Sequence, residues 1–400
     1  MSDFAALWAS LAPIGRDAET GGYLRYAWSD ADLACRDWFV AQARARGLGV
    51  ESDGNGNLYA WWGSPDDGDA VLTGSHFDSV PHGGGYDGPL GIVSALLAVD
   101  ALRERGVPLR RAVAVAAFAE EEGARFGVAC LGSRLLTGAY DPAAALELRD
   151  REGITLAEAM TKADADPESV GPDPGRLARF GAFVELHVEQ GRTLADLGAP
   201  VGVANAIWPH GRWRLDVMGE GNHAGTTRMA DRRDPMLTFA YTVLAANEEA
   251  RLRGAHATIG RVAARPNATN AIPSLVRGWL DARAADVDTL DALVEAVRLR
   301  AAERARRDGT AVTMTAESTS GVVEFDPPLR DAIATRLGAP ILPTGAGHDA
   351  GVLSAYVPTA MLFVRNPTGV SHAPAEHATD EDCAAGVTAL ADVLEELAGR

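Results

Sequence analysis

Only three cysteines occur in the 400 residues, Cys35, Cys130 and Cys383, and their wide spacing excludes a disulfide framework and a CxxC metal site. Buried thiols in a reducing compartment are what remains. Lys162 is the only lysine, set in the polar stretch MTKADAD with no glycine-rich loop before it, which excludes a P-loop and argues against Schiff-base catalysis. No GxSxG motif is found, so the commonest serine-hydrolase signature is missing. Apolar runs such as Ala112–Ala119 fall far short of the ~20 residues that cross a bilayer. The N-terminal MSDFAALWAS has Asp3 where a secretory leader would carry Lys or Arg. A cytoplasmic location is expected. Basic residues are outnumbered, 37 to 55, and the net charge of -18 repels polyphosphate and anionic lipid, so neither nucleic acid nor membrane is an expected partner.

What is present describes a soluble globular chain, 47% hydrophobic and 23% charged. Its length exceeds the roughly 250–300 residues at which single cores stop growing, so two domains are expected. Helices are predicted from Ser29 or Asp30 to Gly47 and over Ile92–Leu102, with strands at Asn57–Trp62, Ala70–Thr73 and Ala112–Ala119. This alternation implies a mostly parallel α/β sheet. From Arg212 the pattern becomes strand (Arg212–Met218), helix capped at Asp234, strands Ala257–Val262 and Leu275–Arg283, helix through Leu290 and Val297, and strand Val312–Glu317. That is a ferredoxin-like βαββαβ unit. The buried strand Thr359–Val364 and a helix capped by Thr379 then return to α/β character. The reading is one α/β domain, residues 1–208 and 321–400, interrupted by an insertion over residues 209–320.

Four clusters carry chemical signal. TGSHFDSV follows a strand, where open α/β sheets place ligands; His76 is a candidate metal ligand, and Asp78 is spaced to fix its tautomer. GGGYDGPLG sets Asp87 among glycines, where a carboxylate can bridge two cations, although Asp-Gly is also ordinary turn chemistry. AFAEEEGARF puts three adjacent acids at a buried strand end, which is unfavourable unless a cation or proton compensates. Of Glu121 and Glu122, one can bind metal while the other takes a proton. AFVELHVEQG and SHAPAEH add His187 and His372. Three His, one Asp and one Glu form a thiolate-free set suited to zinc or manganese. Five ligands, one of them bridging, suit two divalent ions about 3.5–4 Å apart, the spacing of two-metal hydrolases.

Together with GNHAGTTRM, RPNATNAIP, LDAR and GAGHDA, these motifs resemble in order and spacing the M20 metallohydrolases. The resemblance spans nearly the whole chain. Within that family it points to the amidase branch of N-carbamoyl-L-amino acid hydrolases, β-ureidopropionases and allantoate amidohydrolases. Peptidase relatives typically have an acid at the position of His187. The resemblance implies an α/β catalytic domain with an inserted dimerisation or lid domain, and a homodimer formed through that insertion. It implies that Asp87 bridges two ions, with His76 and His187 on one, Glu122 and His372 on the other, and Glu121 as general base. His223, Asn270 and Arg283 match residues that bind the substrate carboxylate or polarise the scissile carbonyl, Gln190 matches a substrate contact, and His348 is expected to support the site. The implied reaction hydrolyses a C–N bond in a small anionic ureido acid, allantoate or an N-carbamoyl-L-amino acid, and releases ammonia. Competing readings are an N-formyl or N-acyl amino acid deacylase, a peptidase-like hydrolase on the same metal core, and a catalytically inactive metal-binding relative. Arg192 and Arg228 depart from the family pattern where proline is frequent or usual, and IWPHGRWR with His210 is less familiar. These residues either bind a second anionic group or lie on the surface.

Overall fold

The computed structural model describes residues 3–399. They form two compact units: the residues up to Ala206 together with those from Glu324 onwards, and Ile207–Val323. The first leg of the first unit supplies strands β1 (Gly49–Ser52), β2 (Leu58–Trp62), β3 (Ala70–His76), β4 (Val113–Phe118), β5 (Phe180–Val188) and β6 (Val201–Ile207). The second unit supplies β7 (His210–Met218), β8 (Asn222–His223), β9 (His256–Arg265), β10 (Ala271–Ile272), β11 (Leu275–Arg283) and β12 (Ala311–Ser320). The chain then adds β13 (Val323–Glu324), β14 (Ile341–Thr344) and β15 (Thr359–Val364).

The larger sheet runs β1-β2-β4-β3-β5-β15-β6-β13, with β14 on β6. Its centre, β4-β3-β5-β15, is parallel, whereas β1 runs antiparallel to β2, β2 to β4 and β6 to β15. Every residue of β3, β4 and β15 is buried, which is why these strands read as continuous apolar runs without alternation. Helices Pro89–Glu104 and Asp380–Ala398 pack on each other, and their Leu90, Leu96, Leu390 and Leu394 join the strands in one core. Local capping starts the helices as the sequence predicts. Ser29 accepts from the Asp32 amide, and Thr379 accepts from the Asp382 amide at 3.1 Å. The edge strand β1 has no buried residue and so leaves no hydrophobic pattern to read.

Strand β3 extends three residues past the apolar run ending at Thr73, because its polar end finds buried partners; Ser75 Oγ donates to Glu185 Oε1 at 2.8 Å. Gly74 makes that extension possible. Its φ is +133°, and a Cβ there would lie 2.0 Å from the Ala116 carbonyl oxygen of β4.

The second unit has a four-stranded antiparallel sheet in the order β12-β7-β11-β9, with helices Pro235–Arg253 and Val287–Asp308. Trp213, Leu215, Leu280 and Ala282 alternate inward and meet Leu290, Leu293 and Val297. The order is the ferredoxin-like βαββαβ. Among the described residues no helix is long and apolar enough to cross a membrane.

Gly74→Ala is expected to destabilise the protein by about 2–4 kcal/mol in urea unfolding, since the added methyl meets backbone and not a movable side chain. A loss below about 0.5 kcal/mol would show that β3 tolerates a side chain at this crossing.

Candidate metal centre

Parallel pairing of β3 with β5 puts His76, the last residue of one strand, beside His187, near the end of the other, with ring centroids 5.8 Å apart. Each ring is anchored through Nδ1 to a backbone carbonyl: His76 to Asp78 at 3.0 Å and His187 to Val188 at 2.9 Å. A carbonyl only accepts, so Nδ1 holds a proton and Nε2 is left to take another proton or a cation. Both Nε2 atoms are buried without a hydrogen-bond partner and face Asp87 Oδ1 at 3.5 and 3.2 Å. Asp87 reaches them because Gly88 presses against His76; a Cβ on Gly88 would come 2.5 Å from His76 Cε1. The other oxygen, Asp87 Oδ2, lies 3.4 Å from His372 Nε2, which in turn lies 3.5 Å from Glu122 Oε2. Two groups thus converge on one carboxylate: His76, Asp87 and His187, and Asp87, Glu122 and His372.

The three adjacent acids separate at the end of β4. Glu120 adopts φ 52° and turns away to accept from the amides of Arg125 and Phe126 at 3.0 and 2.7 Å. Glu121 directs Oε2 toward His76 Nε2 at 3.8 Å, while its Oε1 is 3.5 Å from the Cys130 thiol, which donates to it. The carboxylate of Asp78 accepts from the amides of Glu121 and Glu122 at 3.1 and 3.0 Å, and stands 3.5 Å from His76 Nδ1. The nearer anchor of His76 is therefore the Asp78 carbonyl, and the Asp78 side chain fixes the backbone of the two glutamates.

Burial dominates the electrostatics here. It pushes Glu121 well above the usual carboxylate range, Glu122 up to about 7 with help from Asp87, and Glu120 up to about 8 with help from Asp78. Burial would also raise Asp87, but His187, His372 and His76 outweigh it and hold Asp87 well below the ordinary value. Burial opposes charge on His372 as well, yet Asp87 and Glu122 overcome it and lift the ring to about 9. The carboxylates thus require positive charge beside them, which a divalent cation would supply in place of imidazole protons. Buried, unpartnered Nε2 atoms and a thiolate-free nitrogen and oxygen donor set fit zinc or manganese.

Residues around the two groups hold them in place. Glu376 was not singled out in the sequence, although it shares the SHAPAE motif with His372. Its Oε1 accepts from the amides of Tyr86 and Asp87, both at 2.9 Å, and its Oε2 from Ser371 at 3.0 Å. Gln190 donates to Asp87 Oδ2 at 2.7 Å. His348 is 2% exposed, its ring is 4.5 Å from that of His187, and burial followed by His187 depresses its pKa. Glu185, also unassigned from sequence, accepts from Ser75 and from the Ala350 amide beneath His187 and His348.

In the second unit, β8 pairs with β10, and the Asn270 carbonyl accepts from Ala224, which brings the segments carrying His223 and Asn270 together. His223 Nδ1 accepts from the amides of Gly225 and Thr226 at 3.0 and 3.2 Å, so the ring proton sits on Nε2. Arg283, opposite His210 on β7, forms a fork with Asp281 at 2.8 and 3.2 Å. Arg192 and Arg228 are exposed and paired with Asp196 and Asp231.

Asp78→Ala strips the acceptor from two amides at the end of β4, and is expected to cost about 2–4 kcal/mol in urea unfolding. Unchanged stability would mean that the glutamate backbone is fixed by other contacts.

The model of peptidase family M20/M25/M40 matches residues 72–396. The chain is 37% identical to the N-carbamoyl-L-amino acid amidohydrolase of Geobacillus stearothermophilus, over 98% of each chain. It is 34% identical to the allantoate amidohydrolase of Escherichia coli, over 97% of this chain and 96% of that one. The crystal structure of a hydantoinase/carbamoylase family amidase from Burkholderia vietnamiensis superposes with a TM-score of 0.89 at 31% identity, covering 100% of this chain and 98% of that one. The chain belongs to peptidase family M20/M25/M40.

Proposed function

We infer that the protein is a metal-dependent amidohydrolase that cleaves a C–N bond of a small ureido acid, allantoate or an N-carbamoyl-L-amino acid, and releases ammonia. One observation carries the reading: a single buried carboxylate, Asp87, offers its two oxygens to two separate ligand groups, with a further buried carboxylate, Glu121, beside them. The activities named for the similar amidohydrolases support the substrate class. On this reading His76, His187 and Asp87 hold one ion, and Asp87, Glu122 and His372 the other, each zinc or manganese. Such ions lower the pKa of water and polarise a carbonyl.

Glu121 accepts the proton of the attacking water and returns it to the departing nitrogen. Its Oε1 rests on the Cys130 thiol, so Oε2 is the oxygen that works. His223, with its proton on Nε2, donates to the substrate oxygen where negative charge develops. Gln190, Asn270 and Arg283 bind the substrate; the forked guanidinium of Arg283 suits a carboxylate once it gives up Asp281. Asp78 and His348 support the ligands. With a carbamoyl substrate, one water yields the amino acid, carbon dioxide and ammonia. We also propose a homodimer formed through the inserted unit, which would act as dimerisation or lid domain. The three buried free thiols support a cytoplasmic setting.

The test is ammonia release by metal-loaded protein from allantoate and from N-carbamoyl-L-amino acids, with N-formyl and dipeptide substrates alongside. Turnover confined to the formyl or peptide members would replace the ureido reading. Glu121→Ala is expected to keep its metal and lose about 10²–10⁴-fold in kcat; full turnover by this variant would remove Glu121 from the role of base. His187→Ala is expected to hold one ion fewer per chain by elemental analysis, and unchanged content would remove His187 from the ligand set.

A further inference from the structure

The two oxygens of Asp87 are differently engaged. Oδ1 faces the Nε2 atoms of His76 and His187, two fully buried rings whose Nδ1 anchors are already made. A cation entering there meets preset ligands. Oδ2 instead accepts from Gln190 Nε2 at 2.7 Å and from Ser371 Oγ at 3.2 Å. An ionised carboxylate oxygen has two lone-pair directions, so both are taken.

The two donors are not equivalent. The Ser371 proton has a second acceptor in Glu376 Oε2 at 3.0 Å, and can turn to it without loss. The Gln190 amide nitrogen also lies 3.3 Å from His372 Nε2, so it is within hydrogen-bond reach of two of the three residues of the second group. Its partner atom Oε1 is buried and has no hydrogen-bond partner, so the carboxamide is held only by the donor end. His372 itself is 48% exposed and sits at φ 56° in a loop, in contrast to the strand-borne rings of the first group.

We propose that Gln190 is a displaceable plug of the second ion position, so that the ions load in order: first on His76, His187 and Asp87 Oδ1, then on Glu122, His372 and Asp87 Oδ2. The second ion binds only as the carboxamide leaves Oδ2, and the freed carboxamide is then available to the substrate. Gln190 thereby couples completion of the metal centre to formation of the substrate contact. The inference rests on the two-ion reading of the function and adds to it the residue that sets the affinity of the second ion.

The experiment is a calorimetric titration of the metal-stripped full chain with manganese(II), with bound metal counted by elemental analysis. The wild-type protein is expected to bind in two steps, and His372→Ala to lose the weaker one, which assigns it to the second group. Gln190→Leu, which keeps the bulk but cannot donate, is expected to tighten the weaker step about tenfold, the weight of one charge-assisted hydrogen bond. The tighter step should not move, and this also shows that the variant is folded. A weaker step left in place by Gln190→Leu, or both steps shifting together, would overturn the plug while leaving the two-ion centre standing. A wild-type protein that binds fewer than two ions would overturn the two-ion reading and the plug with it.

Discussion

A single buried carboxylate with three imidazoles around it governs the arrangement of the catalytic unit. Asp87 must be dry, ionised and fixed, and these demands conflict, because burial favours its neutral form. The conflict is resolved by positive charge at the Nε2 atoms of His76, His187 and His372, whether protons or cations held in their place, and these rings arrive from three distant parts of the sequence. Parallel strands bring two of them together, since β3 and β5 pair side by side and both end at the same edge. Glu376 fixes the loop that carries Asp87 by accepting two of its backbone amides. The third imidazole lies four residues before Glu376, so one short segment supplies both a ligand candidate and the clamp.

The electrostatics separate this cluster from the many ion pairs elsewhere. Exposed pairs such as Arg298 with Glu295 hold both partners in their ordinary charged forms and contribute little. Around Asp87 the acids are pushed up instead, Glu122 to about 7 and Glu120 and Asp349 each to about 8. Perturbation of this kind concentrates where chemistry is done. Cavity size is a poorer guide. A cavity of about 1060 Å³ lined by Phe4, Gln42, Arg46 and Asp100 lies beside the helix Asp3–Leu11 and contains none of these acids or histidines.

Much of this was legible in the sequence because the signals were strong and local. Buried parallel strands announce themselves as unbroken apolar runs, and the histidines and acids at their ends stood out against that background. What stayed hidden depends on contacts between distant segments. Strand β1 is an edge with no buried face, and the end of β3 is polar, so neither follows the hydrophobic pattern. Glu376 and Glu185 resembled ordinary acids, and only the fold shows that their oxygens meet backbone amides and a serine hydroxyl. The spacing of HxD suggested a side-chain anchor for His76, whereas the carbonyl of the same residue lies closer and the carboxylate turns to Glu121 and Glu122. Sequence spacing names the residue but not which of its atoms is used.

The central claim is that Asp87 is shared between two ions. Anomalous scattering from crystals of the manganese-loaded protein tests it most directly. The account predicts two peaks per chain, one among Asp87, His76 and His187 and one among Asp87, Glu122 and His372. A single peak, or peaks that leave either oxygen of Asp87 without a cation, would contradict it.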